Sequence, residues 1–178
     1  MTNLKNYLEA KVNSRGNKNL NYLSSFFSET ELAILSNKTI SIVGTNGKSS
    51  TANNIAMLLK GLDKSYIAFT SPHLFDYKER MTAHKDLNFN EYIQYLENFE
   101  LKNNINLGYF ESTFLIAAKA FLHNDMDYFI CEAGIGGKYD TTSVIQSKTV
   151  VLTSIGLDHT DILGCLLYTS DAADDWSG

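Results

Sequence analysis

The stretch from Thr39 to Thr51, TISIVGTNGKSST, decides the fold of this chain. Ile40, Ile42 and Val43 predict a short buried strand, and residues 44–50 predict a tight loop. Apolar residues then recur at helical spacing, which predicts a helix that ends at Gly61 as its C′ residue. The predicted buried face of this helix carries Ala52, Ile55, Leu58, Leu59 and Leu62.

A strand, a glycine-bearing loop and a helix N-terminus together are typical of a phosphate-binding segment, because free N–H groups and the helix dipole point at one anion. Lys48 adds a point charge for the β- and γ-phosphates, and a following hydroxyl can reach Mg²⁺. The full P-loop pattern needs a glycine at position 42, where this chain has Ile42, so a plain tight turn is the alternative. We predict a nucleotide triphosphate site made by Gly44, Thr45, Asn46, Gly47, Lys48, Ser49 and Ser50.

The composition is that of one globular domain without a basic surface. The chain has 178 residues, 44% of them hydrophobic, and a net charge of −5, which gives no support for binding nucleic acid or an anionic membrane. No apolar run reaches the length of a membrane span, and the N-terminus lacks a signal-peptide core. Cys131 and Cys165 lack metal-site spacing, and Cys131 is predicted to be a buried strand residue. We expect a cytoplasmic monomer.

Apolar strands alternate with helices along the chain. Two helices are predicted within residues 3–36, further strands at 65–70, 127–131 and 149–153, and further helices around 92–99 and 110–122, with a polar loop over 71–80. Strands that are apolar without alternation indicate a parallel sheet with helices on both faces, an α/β fold. Ligands of such sheets bind beyond the carboxyl ends of the strands. We therefore expect residues 44–50, Ser71, Glu132 and His159 to converge on one edge.

Each polar residue at this edge has a chemical and a structural interpretation. Glu132 suits Mg²⁺, directly or through a water. His159 is either a metal or phosphate ligand or an ordinary loop residue, and Ser71 precedes Pro72 as many turn residues do. Asp140 follows a glycine-rich loop, where it either contacts a substrate or is a solvated turn residue.

Six motifs in register resemble a known family: Gly44-Thr-Asn-Gly-Lys, Ser71-Pro-His-Leu, Glu79-Arg80, Tyr109-Phe-Glu, Glu132-Ala-Gly-Ile-Gly-Gly-Lys-Tyr-Asp and Ser154-Ile-Gly-Leu-Asp-His-Thr-Asp-Ile-Leu-Gly. Over about residues 22–164 they look like the N-terminal, ATP-binding part of folylpolyglutamate synthase/dihydrofolate synthase, in the Mur ligase superfamily. The resemblance implies the P-loop-containing, mostly parallel sheet of the Mur ligase central domain. It also implies a ligase in which ATP converts a pterin-linked carboxylate to an acyl phosphate and the amine of L-glutamate then forms an amide.

The resemblance also implies residue roles. Lys48, Glu132 and His159 would be catalytic, and a P-loop hydroxyl, Ser71, Glu132 and His159 would hold Mg²⁺. The family usually reads Gly-Lys-Gly-Ser, so Ser50 aligns with the family serine while Ser49 is a departure, and either can face the metal. Phe110 and Asp140 resemble the part that recognises the pterin. Dihydropteroate and tetrahydrofolate both remain open as substrates.

The resemblance ends at Gly164. We predict an ATP-binding domain over 1–164 and a non-native tail over 165–178, with a natural polar tail as the alternative. The family's lysine-bearing helix and its glutamate-binding C-terminal domain have no counterpart in these residues, so we expect a fragment without ligase turnover of its own. Two other hypotheses are a Mur-type ligase acting on a cell-wall precursor, against which the 43-residue lead-in argues, and a non-catalytic nucleotide-binding module.

Overall fold

The computed structural model describes residues 3–12, 20–137 and 140–156. Six α-helices and five β-strands lie in these ranges. The helices are α1 (Leu4–Glu9), α2 (Leu20–Ser24), α3 (Glu29–Lys38), α4 (Lys48–Gly61), α5 (Ile93–Asn103) and α6 (Tyr109–His123). The strands are β1 (Thr39–Val43), β2 (Tyr66–Phe69), β3 (Met81–Ala83), β4 (Tyr128–Glu132) and β5 (Thr149–Leu152). The predicted strands and the main predicted helices are therefore present.

The five strands form one sheet in the order β3-β2-β4-β1-β5. Four of them run parallel, and β3 pairs antiparallel with β2 at the edge. Residues Ile42 of β1 and Glu132 of β4 are register partners, so the end of β4 lies beside the start of the P-loop. The sequence pattern predicted no strand at β3, which begins directly after the predicted polar loop over 71–80, because a three-residue strand has no readable periodicity and exists only through its pairing with β2.

Helices cover both faces of the sheet, which confirms the predicted α/β architecture. On one face α4 packs its buried residues Ala52, Ala56 and Leu59 against Ile42 and Ile130. On the other face α6 and the remaining helices enclose the larger core. Successive residues of a strand point to opposite faces of the sheet: Ala68 packs on the α4 side, whereas Ile67 and Phe69 pack in the larger core.

Two details of α4 differ from the sequence prediction. Leu58 and Leu62 are 67% and 68% exposed. The helix instead packs Ala52, Ala56 and Leu59 against the sheet, residues that lie on one face because they are four and three positions apart. Gly61 lies inside the helix instead of after it. The left-handed residue that ends the helix is Asp63, with φ of 52°, and the next N–H bonds back into the last turn.

Several predicted features lie outside the described residues. These are His159, Cys165, the predicted domain boundary at Gly164 and the tail over 165–178. Cys131, by contrast, is buried as expected. Within the described ranges, no helix combines the length and the apolar character that a membrane crossing requires.

Candidate active site

The loop between β1 and α4 has the backbone that a phosphate cradle requires. Gly44 has a φ of 133°, and Gly47, which caps α4, has a φ of 83°, a conformation that L-residues with a Cβ rarely adopt. A Cβ on Gly44 would lie 2.9 Å from the carbonyl oxygen of Ser154. Glycine at position 44 therefore allows the segment after β5 to approach the loop closely.

Ser154 attaches the loop to the end of β5. The Thr45 N–H donates to the Ser154 carbonyl oxygen at 2.6 Å. The Ser154 hydroxyl accepts from the Asn46 N–H and donates to the Asn46 carbonyl oxygen, both at 3.1 Å. The Thr45 hydroxyl bonds both the N–H and the carbonyl of Gly156 at 3.0 Å. Sequence analysis did not single out Ser154, although its place directly after an apolar strand at the same edge was the available signal.

These contacts divide the predicted nucleotide-binding residues into two groups. The N–H groups of Thr45 and Asn46 are already bonded to Ser154. The first helical bond runs from the Thr51 N–H to the Gly47 carbonyl, so the N–H groups of residues 47–50 have no acceptor in the part of the chain that the structure describes. These four donors at the positive end of α4 are the ones available to a phosphate.

Lys48 lies over the same loop. Its Nζ donates to the carbonyl oxygens of Gly44 at 2.8 Å and Thr45 at 3.2 Å. These neutral acceptors leave the ammonium charge without a carboxylate partner among the described residues. Lys48 can therefore exchange its contacts with these carbonyl oxygens for a contact with a bound phosphate.

Glu132 joins the P-loop to the segment after β2. Its Oε1 accepts from the Ser49 hydroxyl at 2.9 Å, and its Oε2 accepts from the Ser71 N–H at 3.1 Å. The residue is 2% exposed. Burial raises the pKa of the Glu132 carboxyl, while the two hydrogen bonds and the nearby charges of Lys48 and Arg80 oppose that rise. The structure therefore brings together three of the four segments that were expected to converge.

The donors at this junction fit Mg²⁺. The possible metal ligands are oxygens, namely the Glu132 carboxylate and the hydroxyl of Ser49 beside it. Mg²⁺ takes one or two protein carboxylates while keeping waters and phosphate oxygens. The P-loop hydroxyl that contacts Glu132 is that of Ser49, whereas Ser50 is exposed. Ser71 contacts Glu132 through its backbone, not its hydroxyl. Among the described residues no group of three or more His, Cys, Asp or Glu side chains is placed to hold a metal.

Phe110 and Asp140 meet at Gly134. A Cβ on Gly134 would lie 3.0 Å from Cζ of Phe110 and 3.1 Å from Oδ2 of Asp140. Oδ2 of Asp140 accepts from the N–H groups of Gly134 and Ile135, and Oδ1 accepts from the N–H and the hydroxyl of Thr142. Asp140 is 9% exposed, so it is not a solvated turn residue. It holds the loop after β4 in shape against Phe110.

Comparisons with known proteins agree with this arrangement. The model of the Mur ligase middle domain family matches residues 42–168. The dihydrofolate synthase/folylpolyglutamate synthase of Buchnera aphidicola subsp. Schizaphis graminum is 37% identical over 166 residues, which is 89% of this chain and 38% of that protein. The protein of the same name from Escherichia coli K12 is 34% identical over 125 residues, 69% of this chain and 30% of its own length.

Solved structures show the same likeness in three dimensions. A structure described as E. coli FolC in complex with DHPP and ADP has a TM-score of 0.78 and 29% sequence identity, and the match covers 92% of this chain and 40% of that chain. This chain therefore spans less than half the length of the relatives that it matches.

Proposed function

This chain belongs to the Mur ligase family, and on that premise we propose that it forms the nucleotide-binding part of an ATP-dependent ligase that joins L-glutamate to a dihydropteroate or a folate. The observation that carries the proposal is the junction at Glu132, where one buried carboxylate touches both Ser49 of the P-loop and Ser71. The names of the similar proteins support the folate class of substrate over a cell-wall precursor. The proposal includes an ATP-binding domain over residues 1–164 and a non-native tail over residues 165–178.

The chain's own groups account for the first chemical step. The N–H groups of residues 47–50 and the ammonium of Lys48 bind the β- and γ-phosphates and hold the γ-phosphorus in place. An oxygen of the acid's carboxylate attacks that phosphorus, the bond to the bridging oxygen breaks, and ADP leaves with the electron pair. The same donors neutralise the charge that develops on the phosphate oxygens.

In the second step the amine of L-glutamate attacks the carbonyl carbon of the acyl phosphate. The bond from that carbon to the phosphate oxygen breaks, inorganic phosphate leaves, and the nitrogen loses a proton to give the amide. Glu132, a P-loop hydroxyl, Ser71 and His159 are the residues proposed to hold Mg²⁺. When bound, Mg²⁺ supplies positive charge beside the phosphate oxygens.

Nucleotide binding is the first test. The chain is titrated with ADP and with AMPPCP by calorimetry in the presence and absence of Mg²⁺. We expect Lys48→Met to weaken binding about tenfold or more, the equivalent of about 1.4 kcal/mol. Lys60→Met is the matched control, because Lys60 is an exposed lysine at the far end of the same helix. Equal affinity in both variants, or binding of neither nucleotide, would contradict the proposed site.

Ligation is the second test. The source DNA is first sequenced across the codons for Gly164 and Cys165 to show which reading frame follows. The protein that this frame encodes is then incubated with ATP labelled with ¹⁸O at the β,γ-bridging oxygen. The assay measures whether the label moves to a non-bridging position and whether this exchange requires the carboxylic-acid substrate. Exchange that requires dihydropteroate or tetrahydrofolate supports the acyl phosphate. Exchange only with a cell-wall precursor favours another Mur-type ligase, and nucleotide binding without exchange favours a non-catalytic module.

A further inference from the structure

A cavity that Arg80 lines has no role in the mechanism above. It has a volume of about 420 Å³ and lies between α1, the segment after β2 and the start of α6. Its wall holds two cations, Arg80 and Lys5, and two carboxylates, Glu9 and Asp76. Apolar and aromatic side chains complete it, among them Leu8, Phe75 and Tyr109. A cavity of this volume lies within the size range of small-molecule sites.

Arg80 is held in one orientation in this cavity. Its Nε donates to Nδ1 of His73 at 2.8 Å, and its guanidinium carbon lies 5.2 Å from the centre of the Tyr109 ring. Burial lowers the pKa of Arg80 from its ordinary value, and the group remains charged because that value is far above neutrality. The two terminal amino groups of the guanidinium have no acceptor among the described residues.

The nearby carboxylates each contact a group other than Arg80. Glu79 accepts from the N–H groups of residues 74, 75 and 76 at 2.8–2.9 Å. Asp76 accepts from the Lys78 N–H, and Glu9 lies 3.9 Å from Nζ of Lys5. No described carboxylate therefore forms an ion pair with Arg80. Because a partly desolvated guanidinium is usually paired with a carboxylate or a phosphate, the arrangement indicates an anion from outside the chain.

The position of Arg80 favours a carboxylate over a phosphate. The P-loop already provides the phosphate donors, whereas Arg80 follows the segment that starts at Ser71 and interacts electrostatically with Glu132. The aromatic ring of Tyr109, at the start of α6, lies next to this cation, and Phe75 and Tyr77 line the same cavity. Two parallel amino groups of a guanidinium match the two oxygens of a carboxylate.

We propose that Arg80 binds, through its two terminal amino groups, a carboxylate of the aromatic acid substrate, and that the adjoining cavity receives part of that acid. The inference rests on the proposed function and adds a binding residue to it. L-Glutamate also carries carboxylates, but it offers no ring for the aromatic wall. The assignment therefore concerns the acid that becomes phosphorylated, not the amine.

The test compares ligands and variants of the chain by calorimetry. Pteroate, its methyl ester, L-glutamate and ADP are each titrated into the wild type, Arg80→Gln, Arg80→Lys and Lys78→Gln. We expect Arg80→Gln to weaken pteroate binding about tenfold or more. The affinity of Arg80→Lys should be intermediate, because lysine keeps the charge but lacks the two parallel amino groups of the guanidinium. Lys78→Gln is the matched control, an exposed cation in the same short helix. ADP affinity should be equal in all four proteins.

The methyl ester removes the carboxylate charge from the ligand and leaves the protein unchanged. It should bind the wild type about tenfold or more weakly than pteroate does, and it should not distinguish the wild type from Arg80→Gln. Equal binding of pteroate and ester by the wild type, no pteroate binding at all, or loss of L-glutamate binding alone in Arg80→Gln would overturn this inference. If ADP binds normally in those cases, the nucleotide site of the proposed function stands, whereas loss of ADP binding by the wild type would contradict that function instead.

Discussion

The hydrogen bond from Ser49 to Glu132 gives the sharpest test of the site. Its length is 2.9 Å, and Glu132 is 2% exposed, so water cannot readily replace the lost donor in Ser49→Ala. A hydrogen bond to an ionised group contributes about 1.5–3 kcal/mol to stability, whereas one between neutral groups contributes about 0.5–1.5 kcal/mol. Ser49→Ala should therefore cost about 1.5–3 kcal/mol when Glu132 is ionised, which lowers the melting temperature by roughly 3–12 °C for a domain of this size.

The assay is thermal denaturation at several pH values in two backgrounds, the wild type and Glu132→Gln. The cost of Ser49→Ala should fall as the pH is lowered through the raised pKa of Glu132, because the acceptor becomes neutral. The cost should also be smaller in Glu132→Gln, by about 1 kcal/mol. Ser50→Ala is the matched control: its hydroxyl is exposed in the same turn of α4, so its effect should stay within about 0.5 kcal/mol.

Two results would refute this reasoning. One is a cost of Ser49→Ala that is the same at acid and alkaline pH and in both backgrounds, because the bond would then not involve the carboxylate charge. The other is an equal cost for Ser50→Ala, since the effect would then belong to the helix N-terminus and not to Glu132.

Three further changes have defined outcomes. Glu132→Gln should gain stability relative to the wild type as the pH rises through the raised pKa of Glu132, because ionising a buried carboxyl costs stability that an amide does not; denaturation curves without this pH dependence would contradict burial as the cause. Ser154→Ala removes two hydrogen bonds to the P-loop and should cost about 1 kcal/mol in unfolding and weaken ADP binding, so unchanged ADP affinity would argue against a role in holding the loop. Gly134→Ala should cost about 1–3 kcal/mol because its Cβ would lie 3.0 Å from Phe110, whereas Gly61→Ala, with open space around it, should be neutral or stabilising by up to about 1 kcal/mol; equal melting temperatures for these two variants would refute the crowding at Gly134.

The P-loop shows how sequence and structure divide the information. The strand, the loop and the helix after Lys48 follow from local periodicity and glycine placement, and all three are present. The loop's contacts with Ser154 are not visible in sequence, because more than 100 residues separate the partners. Only the pairing of β1 with β5 brings them together. As a result, the sequence could not show that the N–H groups of Thr45 and Asn46 are already used.

The choice between the two P-loop hydroxyls has the same cause. Residues 49 and 50 are adjacent in sequence, but on a helix they point about 100° apart, so the rotation of α4 against the sheet decides which one reaches Glu132. The same rotation explains why Leu58 is exposed and Ala56 is buried, where the apolar pattern predicted Leu58 on the buried face.

The sequence by itself determined the α/β class, the order of its elements and the edge at which Ser71, Glu132 and the P-loop meet, because these depend on local patterns and on the rule that parallel strands end together. Tertiary structure alone decided that Ser49 is the hydroxyl on Glu132, that Asp140 is a buried loop anchor beside Phe110, and that Arg80 lacks a carboxylate partner within the described residues. Each of these depends on contacts between side chains from segments that are distant in sequence. Such contacts follow from tertiary packing, which no local sequence pattern encodes.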